Sequence, residues 1–382
     1  MGRSRGEGEP DAPSHVERRA RFPEGDRDKP GRASRRAAAS DGRPAARRTG
    51  RGTRHLWVPC GPLGRGGTLY GNWAEVGASG VLGVGTSFSM APSGTEATLY
   101  SFDGSQGSYP YWGLTLGSDG NFYGASSQGG TSNLGTLYQS TSTGTVTVLH
   151  NWTNTGDGTS SVPPAEGTDG NFYGESTAVI YRLTPAGVFS ILHTIVDSDG
   201  TVGTFLVQGT DGSFYGATAF GGGEGCGTVF KVSVAGVLTV LHNFACTTEG
   251  QGVATPLVQA TDGNFYGYST GGASNQQLIY KITASGAFTM LHSMTPAEGN
   301  ASRNGLIQAT DGNLYGTTFG GGTLNNGTIF KITLGGALSV RCNSDPGNNN
   351  GVRPVRNLTQ HKNGLREGKT PGGEKGSAHG GK

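Results

Sequence analysis

The sequence has no long apolar run. No stretch approaches the roughly 18 apolar residues that would span a membrane as a helix. No basic start is followed by the apolar run of roughly 7–15 residues that a secretory signal needs; Arg18-Arg19 and Arg35-Arg36 are twin arginines, but neither precedes one. Sustained apolar spacing at three and four residues is also missing, so helices are not expected. Charged residues make up only 15% of the 382. The chemical signatures that usually betray an enzyme are missing too. There is no Ser/His/Asp arrangement, Cys/His pair, phosphate-cradling loop or dinucleotide fingerprint. The Gly-rich run Gly221-Gly222-Gly223-Glu224-Gly225 links two strands and opens no helix.

What the chain has in abundance is glycine, 71 residues of it, at fixed places in a repeat. The organising phrase is Thr-Asp-Gly-Asn-Phe-Tyr-Gly, clean at 168–174 and 261–267 and varied at 118–124, 210–216 and 310–316. Its aspartates, Asp119, Asp169, Asp211, Asp262 and Asp311, are spaced by 50, 42, 51 and 49 residues. A sixth copy, Thr68-Leu69-Tyr70-Gly71, has lost the Asp-Gly pair. A second phrase, Gly-Thr-Val-Phe-Lys-Val at 227–232, and a third, Leu-Thr-Val-Leu-His-Asn-Phe at 238–244, recur in the same order. Each is a short run of β-branched and aromatic residues bounded by turn formers, which is a strand signature. Counting the short run before each Asp, the unit holds four strands, here called A, B, C and D. Four short antiparallel strands repeated about every 50 residues predict an all-β fold, a β-propeller. Six copies predict six blades, with 56–63 as strand A of the first.

The ends differ. Residues 1–54 carry fourteen Arg and eight acidic residues with almost no large apolar side chain. Residues 343–382 are basic and poor in apolar residues. Both are expected to be disordered, because neither can bury enough surface to offset its ordering entropy. The domain reading is therefore tail 1–54, propeller 55–342 and tail 343–382. The formal net charge is +2, with the basic excess in the tails. Nucleic acid is accordingly expected only through the tails and not on the repeat domain.

Several residue sets could carry chemistry. The five aspartates could be a ring of Ca²⁺ ligands, but each falls in a different blade, and turn capping is the simpler role. His150, His193, His242 and His292 share one position on strand D. With D outermost they stand far apart, so packing with a hydrogen bond is expected, not a metal site. Three residues before the aspartates stand Glu166, Gln208, Gln259 and Gln308, with Leu116 in the remaining copy. If strand A lines the axis, these form a polar ring that could meet a ligand, or simply line a wet channel. Tyr70, Tyr123, Tyr173, Tyr215, Tyr266 and Tyr315 repeat on strand B and read as inter-blade core. No cofactor and no metal are expected. Of the four cysteines, Cys226 and Cys246 flank a hairpin that turns near Ala235-Gly236 and should pair across it. Cys60 and Cys342 would latch the ends in a second bridge. Disulfides point to an oxidising compartment.

The phrases Asp-Gly-Asn-Phe-Tyr-Gly, Gly-Thr-Val-Phe-Lys and Thr-Val-Leu-His-Asn-Phe, six times in the same order, resemble the repeat of the bacterial choice-of-anchor GloVer-repeat proteins. The resemblance covers residues 56–342. It implies exported or surface proteins, and it carries no catalytic residue. No signal peptide and no anchor can be recognised in this chain. The leading expectation is a monomeric, non-enzymatic propeller that binds a surface ligand, glycan or protein outside the cell. The competing one is a lyase- or lactonase-like hydrolase acting at the channel mouth, for which Glu166 is the sole carboxylate in the polar ring.

Overall fold

In the computed structural model the described residues are 68–74, 84–91, 93–160, 162–201, 205–252, 255–271, 276–300, 302, 304–344, 358–360, 366–368 and 376–377. The chain divides into two units, Met1–Gly52 and Thr53–Lys382, and every described residue belongs to the second. The Arg-rich stretch, Cys60 and the expected first strand at 56–63 lie outside the described residues.

The described residues form strands and turns without a helix, and every strand pair is antiparallel. Sheet 1 holds β1 (Leu69–Trp73), β2 (Thr86–Met90) and β3 (Glu96–Ser101). Sheet 2 holds β4 (Thr115–Leu116), β5 (Phe122–Ala125), β6 (Thr136–Ser140) and β7 (Val146–Asn151). Sheet 3 holds β8 (Ala165–Glu166), β9 (Phe172–Glu175), β10 (Val179–Leu183) and β11 (Phe189–Thr194). Sheet 4 holds β12 (Val207–Gln208), β13 (Phe214–Ala217), β14 (Thr228–Val232) and β15 (Leu238–Asn243). Sheet 5 adds a fifth strand: β16 (Gln251–Gly252) and β17 (Val258–Gln259) both pair β18 (Phe265–Gly271), followed by β19 (Gln276–Ile282) and β20 (Phe288–Ser293). Sheet 6 holds β21 (Ile307–Gln308), β22 (Leu314–Thr317), β23 (Thr328–Ile332) and β24 (Leu338–Asn343). The order A-B-C-D read from the sequence is thus the spatial order in sheets 2, 3, 4 and 6.

The described residues include a seventh sheet. Three short strands, β25 (Thr359–Gln360), β26 (Arg366–Gly368) and β27 (Gly376–Ser377), pair in sequence order within the stretch expected to be a disordered tail. Leu358, just before β25, is buried. Six copies of the repeat phrases stand beside seven sheets among the described residues. Leu358, one of the few apolar residues of this stretch, finds an apolar seat on sheet 6.

Turn chemistry fixes each A-B hairpin. In sheet 2 the Gly120 amide donates to the Gly117 carbonyl and the Gly117 amide to the Asn121 carbonyl. Gly120 has φ +83°, a left-handed conformation that a glycine adopts without a Cβ penalty. The core lies between sheets. Tyr123 stacks on Phe172, Tyr173 on Phe214 and Tyr215 on Phe265, each joining one sheet to the next, with ring centroids 3.6, 4.2 and 3.9 Å apart. These rings are all but fully buried. At roughly 150–250 Å² each, they supply a large part of the apolar burial.

Candidate ligand-binding site

Each sheet has two ends, and the repeat builds them differently. At the Asp-Gly end, Asp262 accepts the Asn264 amide at 3.1 Å, the Asn264 side-chain NH₂ at 2.8 Å and the Tyr266 hydroxyl at 2.7 Å. Asp119 and Asp169 make the same three bonds. Asp211 accepts the Ser213 amide, the Tyr215 hydroxyl and Lys231 Nζ. Asp311 accepts the Asn313 amide, the Tyr315 hydroxyl and Lys331 Nζ. Burial pushes the Asp311 carboxyl up, but these donors more than offset it and hold it down at about 2. Burial and the adjacent carboxylate push the Tyr123 and Tyr173 hydroxyls up to about 12, where they stay protonated donors.

The four polar residues of strand A clasp neighbouring sheets. Gln208 accepts the Thr168 amide at 2.8 Å, Gln259 that of Thr210 at 2.9 Å, and Gln308 that of Thr261 at 2.9 Å. The amide NH₂ groups of Gln208, Gln259 and Gln308 donate to the carbonyls of Gly212, Gly263 and Gly312 in their own turns. Glu166 accepts the amide and the hydroxyl of Ser118. Both ends of each glutamine are therefore engaged, which favours a structural clasp over a ring open to a ligand.

At the opposite end the histidines serve the D-to-A connections. The Nε2 atoms of His150, His193, His242 and His292 stand 3.2, 2.8, 2.7 and 3.0 Å from Asp157, Asp199, Glu249 and Glu298. Each carboxylate also caps its own loop, accepting the amide of Thr153, Val196, Ala245 or Thr295. Sheet 1 carries Tyr100 at this position and sheet 6 carries Cys342. The four imidazoles sit in four sheets, each with its own acid. Among the described residues no group of three metal-ligating side chains comes together. Cys226 and Cys246 are joined, with their Cα atoms 5.5 Å apart. The Cys60 partner proposed for Cys342 lies outside the described residues.

The departure from the repeat is the segment Tyr109-Pro110-Tyr111-Trp112, which leads into β4. Tyr109 has φ +54°, and among the described residues the other non-glycine positions with positive φ are all Asn. A bulky side chain in this region costs about 1–2 kcal/mol. Neighbours hold it there: its amide donates to the Val84 carbonyl at 2.7 Å, and its carbonyl accepts the amide and hydroxyl of Ser127. The Tyr109 and Tyr111 rings are stacked 6.1 Å apart, and Tyr111 remains 41% exposed. Trp112 meets Phe205, from the connection into β12, edge to face at 5.2 Å. The Asn72 side-chain NH₂ donates to the Trp112 carbonyl at 3.1 Å and to the Tyr138 hydroxyl at 3.0 Å. The result is an aromatic surface on a backbone pinned from sheets 1 and 2. Sequence reading by repeat phrase passed over it because it belongs to no phrase; three aromatics within four residues of a connection were the available signal.

At the same end, the position after Tyr-Gly on strand B varies from sheet to sheet: Asn72, Ala125, Glu175, Ala217, Tyr268 and Thr317. Glu175 is a buried carboxylate, and its charge adds to the burial that pushes the Tyr181 hydroxyl up. Sequence reading missed Glu175 as well, because it attended to what the copies share.

A family model, the Gloeobacter/Verrucomicrobia repeat, matches residues 59–178 and 168–381. No curated protein matches. Among solved structures, virginiamycin B lyase from Staphylococcus aureus is similar over 84% of this chain and 94% of its own, at 13% identity and a TM-score of 0.57. The extracellular domain of the hybrid two-component system BT4673 from B. thetaiotaomicron is similar over 85% of this chain and 38% of its own, at 10% identity and a TM-score of 0.56. At these identities the likeness is one of fold, and the fold is that of a β-propeller.

Proposed function

We propose that this chain, which belongs to the Gloeobacter/Verrucomicrobia repeat family, is a non-enzymatic β-propeller that binds a glycan outside the cytoplasm. The observation that carries the reading is the pinned aromatic segment Tyr109–Trp112. Tyr and Trp present an apolar face with a polar edge, which suits the C–H face and hydroxyl rim of a sugar ring. A rigid platform also loses little freedom on binding. The repeated histidines and acids do not supply catalysis readily, since each is engaged in a loop cap or a turn. The Cys226–Cys246 disulfide supports an oxidising location. So does the likeness in fold to an extracellular domain.

The test is a glycan array probed with the full chain and with Trp112→Ala and Tyr111→Ala. A glycan retained by the parent and weakened about tenfold or more by either variant is the expected result. Retention of no glycan above control, or equal retention by all three, overturns it. The enzyme reading has one observation in its favour, the buried carboxylate Glu175. A change in the mass of a bound glycan on incubation, abolished by Glu175→Gln, would replace the binding reading with that one.

A further inference from the structure

The seat of Leu358 follows a rule set elsewhere in the chain. In sheets 2, 3 and 4 the Tyr of strand B receives a Phe from the next sheet, and the residue two before the Asp is glycine. A Cβ built on Gly117, Gly167 or Gly209 would stand 3.2, 3.2 or 3.0 Å from the incoming ring of Phe172, Phe214 or Phe265. In sheet 5 that residue is Ala260, and the incoming side chain shrinks to Leu314. The methyl group and the smaller side chain appear together. In sheet 6 the residue is again alanine, Ala309, and the side chain packed with it and Tyr315 is Leu358, 4% exposed. Ile307 and Ile329 flank the same seat. Asn357-Leu358 also echoes Asn313-Leu314 in sequence.

We propose that sheet 6 carries a docking surface shaped for the chain's own C-terminal segment, and that β25–β27 are a seventh blade seated there by Leu358. The occupant follows from three observations. Leu358 matches the small-seat partner that Ala309 demands. The strand it introduces, β25, pairs β26 and then β27, the B-C-D order of sheet 1. The register Gln360↔Arg366 and Thr359↔Glu367 is antiparallel, as in every other B-C pair. Leu358 and β25–β27 thus act as part of the propeller.

The test is a mutant cycle on the full chain. In Leu358→Phe the larger ring meets the Ala309 methyl, so the C-terminal segment opens more often. Ala309→Gly in the same chain restores the Gly/Phe combination of sheets 2 to 4. Opening is read as trypsin cleavage after Arg366. The single variant should cleave faster than the parent, the double variant should return toward the parent rate, and Leu358→Asp should cleave about tenfold faster or more. Equal cleavage in all four chains, or a double variant no slower than Leu358→Phe, overturns the proposal. Cross-linking of mixed tagged chains through this seat, with a dimer in light scattering, would assign it to a second copy and overturn it as well.

Discussion

His150 lies flat on Phe189 of the following sheet, with ring centroids 3.8 Å apart, planes 9° apart, and its Nε2 3.2 Å from Asp157 Oδ2. His242 repeats the arrangement on Phe288 at 3.9 Å and 3°, with Glu249 as its acid. One side chain thereby links a strand, the loop that follows it and the next sheet. The acid extends the link: the Asp157 carbonyl accepts the Ser176 hydroxyl of sheet 3.

This geometry sets the direction of the pH dependence. Burial holds His150 below its ordinary value, with Asp157 opposing. Burial pushes Asp157 and Glu298 up, but the amides they cap, with the bonds from His150 and His292, hold both below the usual carboxylate range. Asp119, Asp169, Asp211, Asp262 and Asp311 are also lowered. A lowered pKa means the unfolded chain binds more protons, so stability falls on acidification in every case. Melting temperature should be level between about pH 6.5 and 9, decline modestly below that range as His150 becomes charged, and drop steeply between about pH 4 and 2. His150→Gln, which cannot titrate, should remove the first decline and leave the second. Stabilisation on acidification would contradict the assignment.

The Asp-Gly turn can be tested one blade at a time. Asp262→Ala leaves the Tyr266 hydroxyl and the Asn264 amide without their acceptor. Chemical denaturation should show a loss of about 1–3 kcal/mol, the cost of unsatisfied partly buried donors. Calcium should leave the melting temperature of the parent and of the variant unchanged. A calcium-dependent shift present only in the parent would restore the ligand reading of the aspartates.

How much of this was legible in advance depends on whether a residue obeys the repeat. The period of about 50 and the A-B-C-D order follow from patterns that each copy restates, and the Cys226–Cys246 pairing follows from two cysteines that one copy places on either side of its C-D hairpin. The role of Gln259 was half legible. Its position on strand A could be read, but its partner Thr210 is 49 residues away in the preceding sheet. No single copy of the repeat records that distance. Tyr109–Trp112 and Glu175 were not legible as a group, because they stand where copies differ and periodicity discards such positions. Leu358 was masked by its surroundings, since one apolar residue among basic and polar ones reads as noise until Ala309 and Tyr315 are placed beside it.

The glycine of Tyr-Gly makes a sharper prediction. A Cβ on Gly267 would stand 2.5 Å from the Tyr280 hydroxyl oxygen and 2.8 Å from Leu257 Cδ2. The φ of Gly267 is not among the positive ones, so the constraint is the aromatic ring lying across it and not the backbone. Gly267→Ala should cost about 1–3 kcal/mol by overpacking. Tyr280→Leu in the same chain should recover part of that loss by removing the ring. Additive losses in a denaturation cycle would show that the two sites do not meet.

The disulfide links stability to location. Cys226 and Cys246 are 20 residues apart in sequence, and the loop they close contains β14 and β15 of sheet 4. The Cys226 carbonyl accepts the Gly252 amide at 2.7 Å, so the bridge also steadies the connection toward sheet 5. Closing a loop of this size contributes up to about 3 kcal/mol. Protein produced in an oxidising compartment should therefore melt higher than the same chain produced in a reducing cytosol, and a reductant should remove the difference. The variant with both Cys226→Ser and Cys246→Ser should melt at the lower value from either source. If the parent melts identically from both compartments with its thiols intact, the bridge has no part in stability, and the argument it offers for life outside the cytoplasm falls with it.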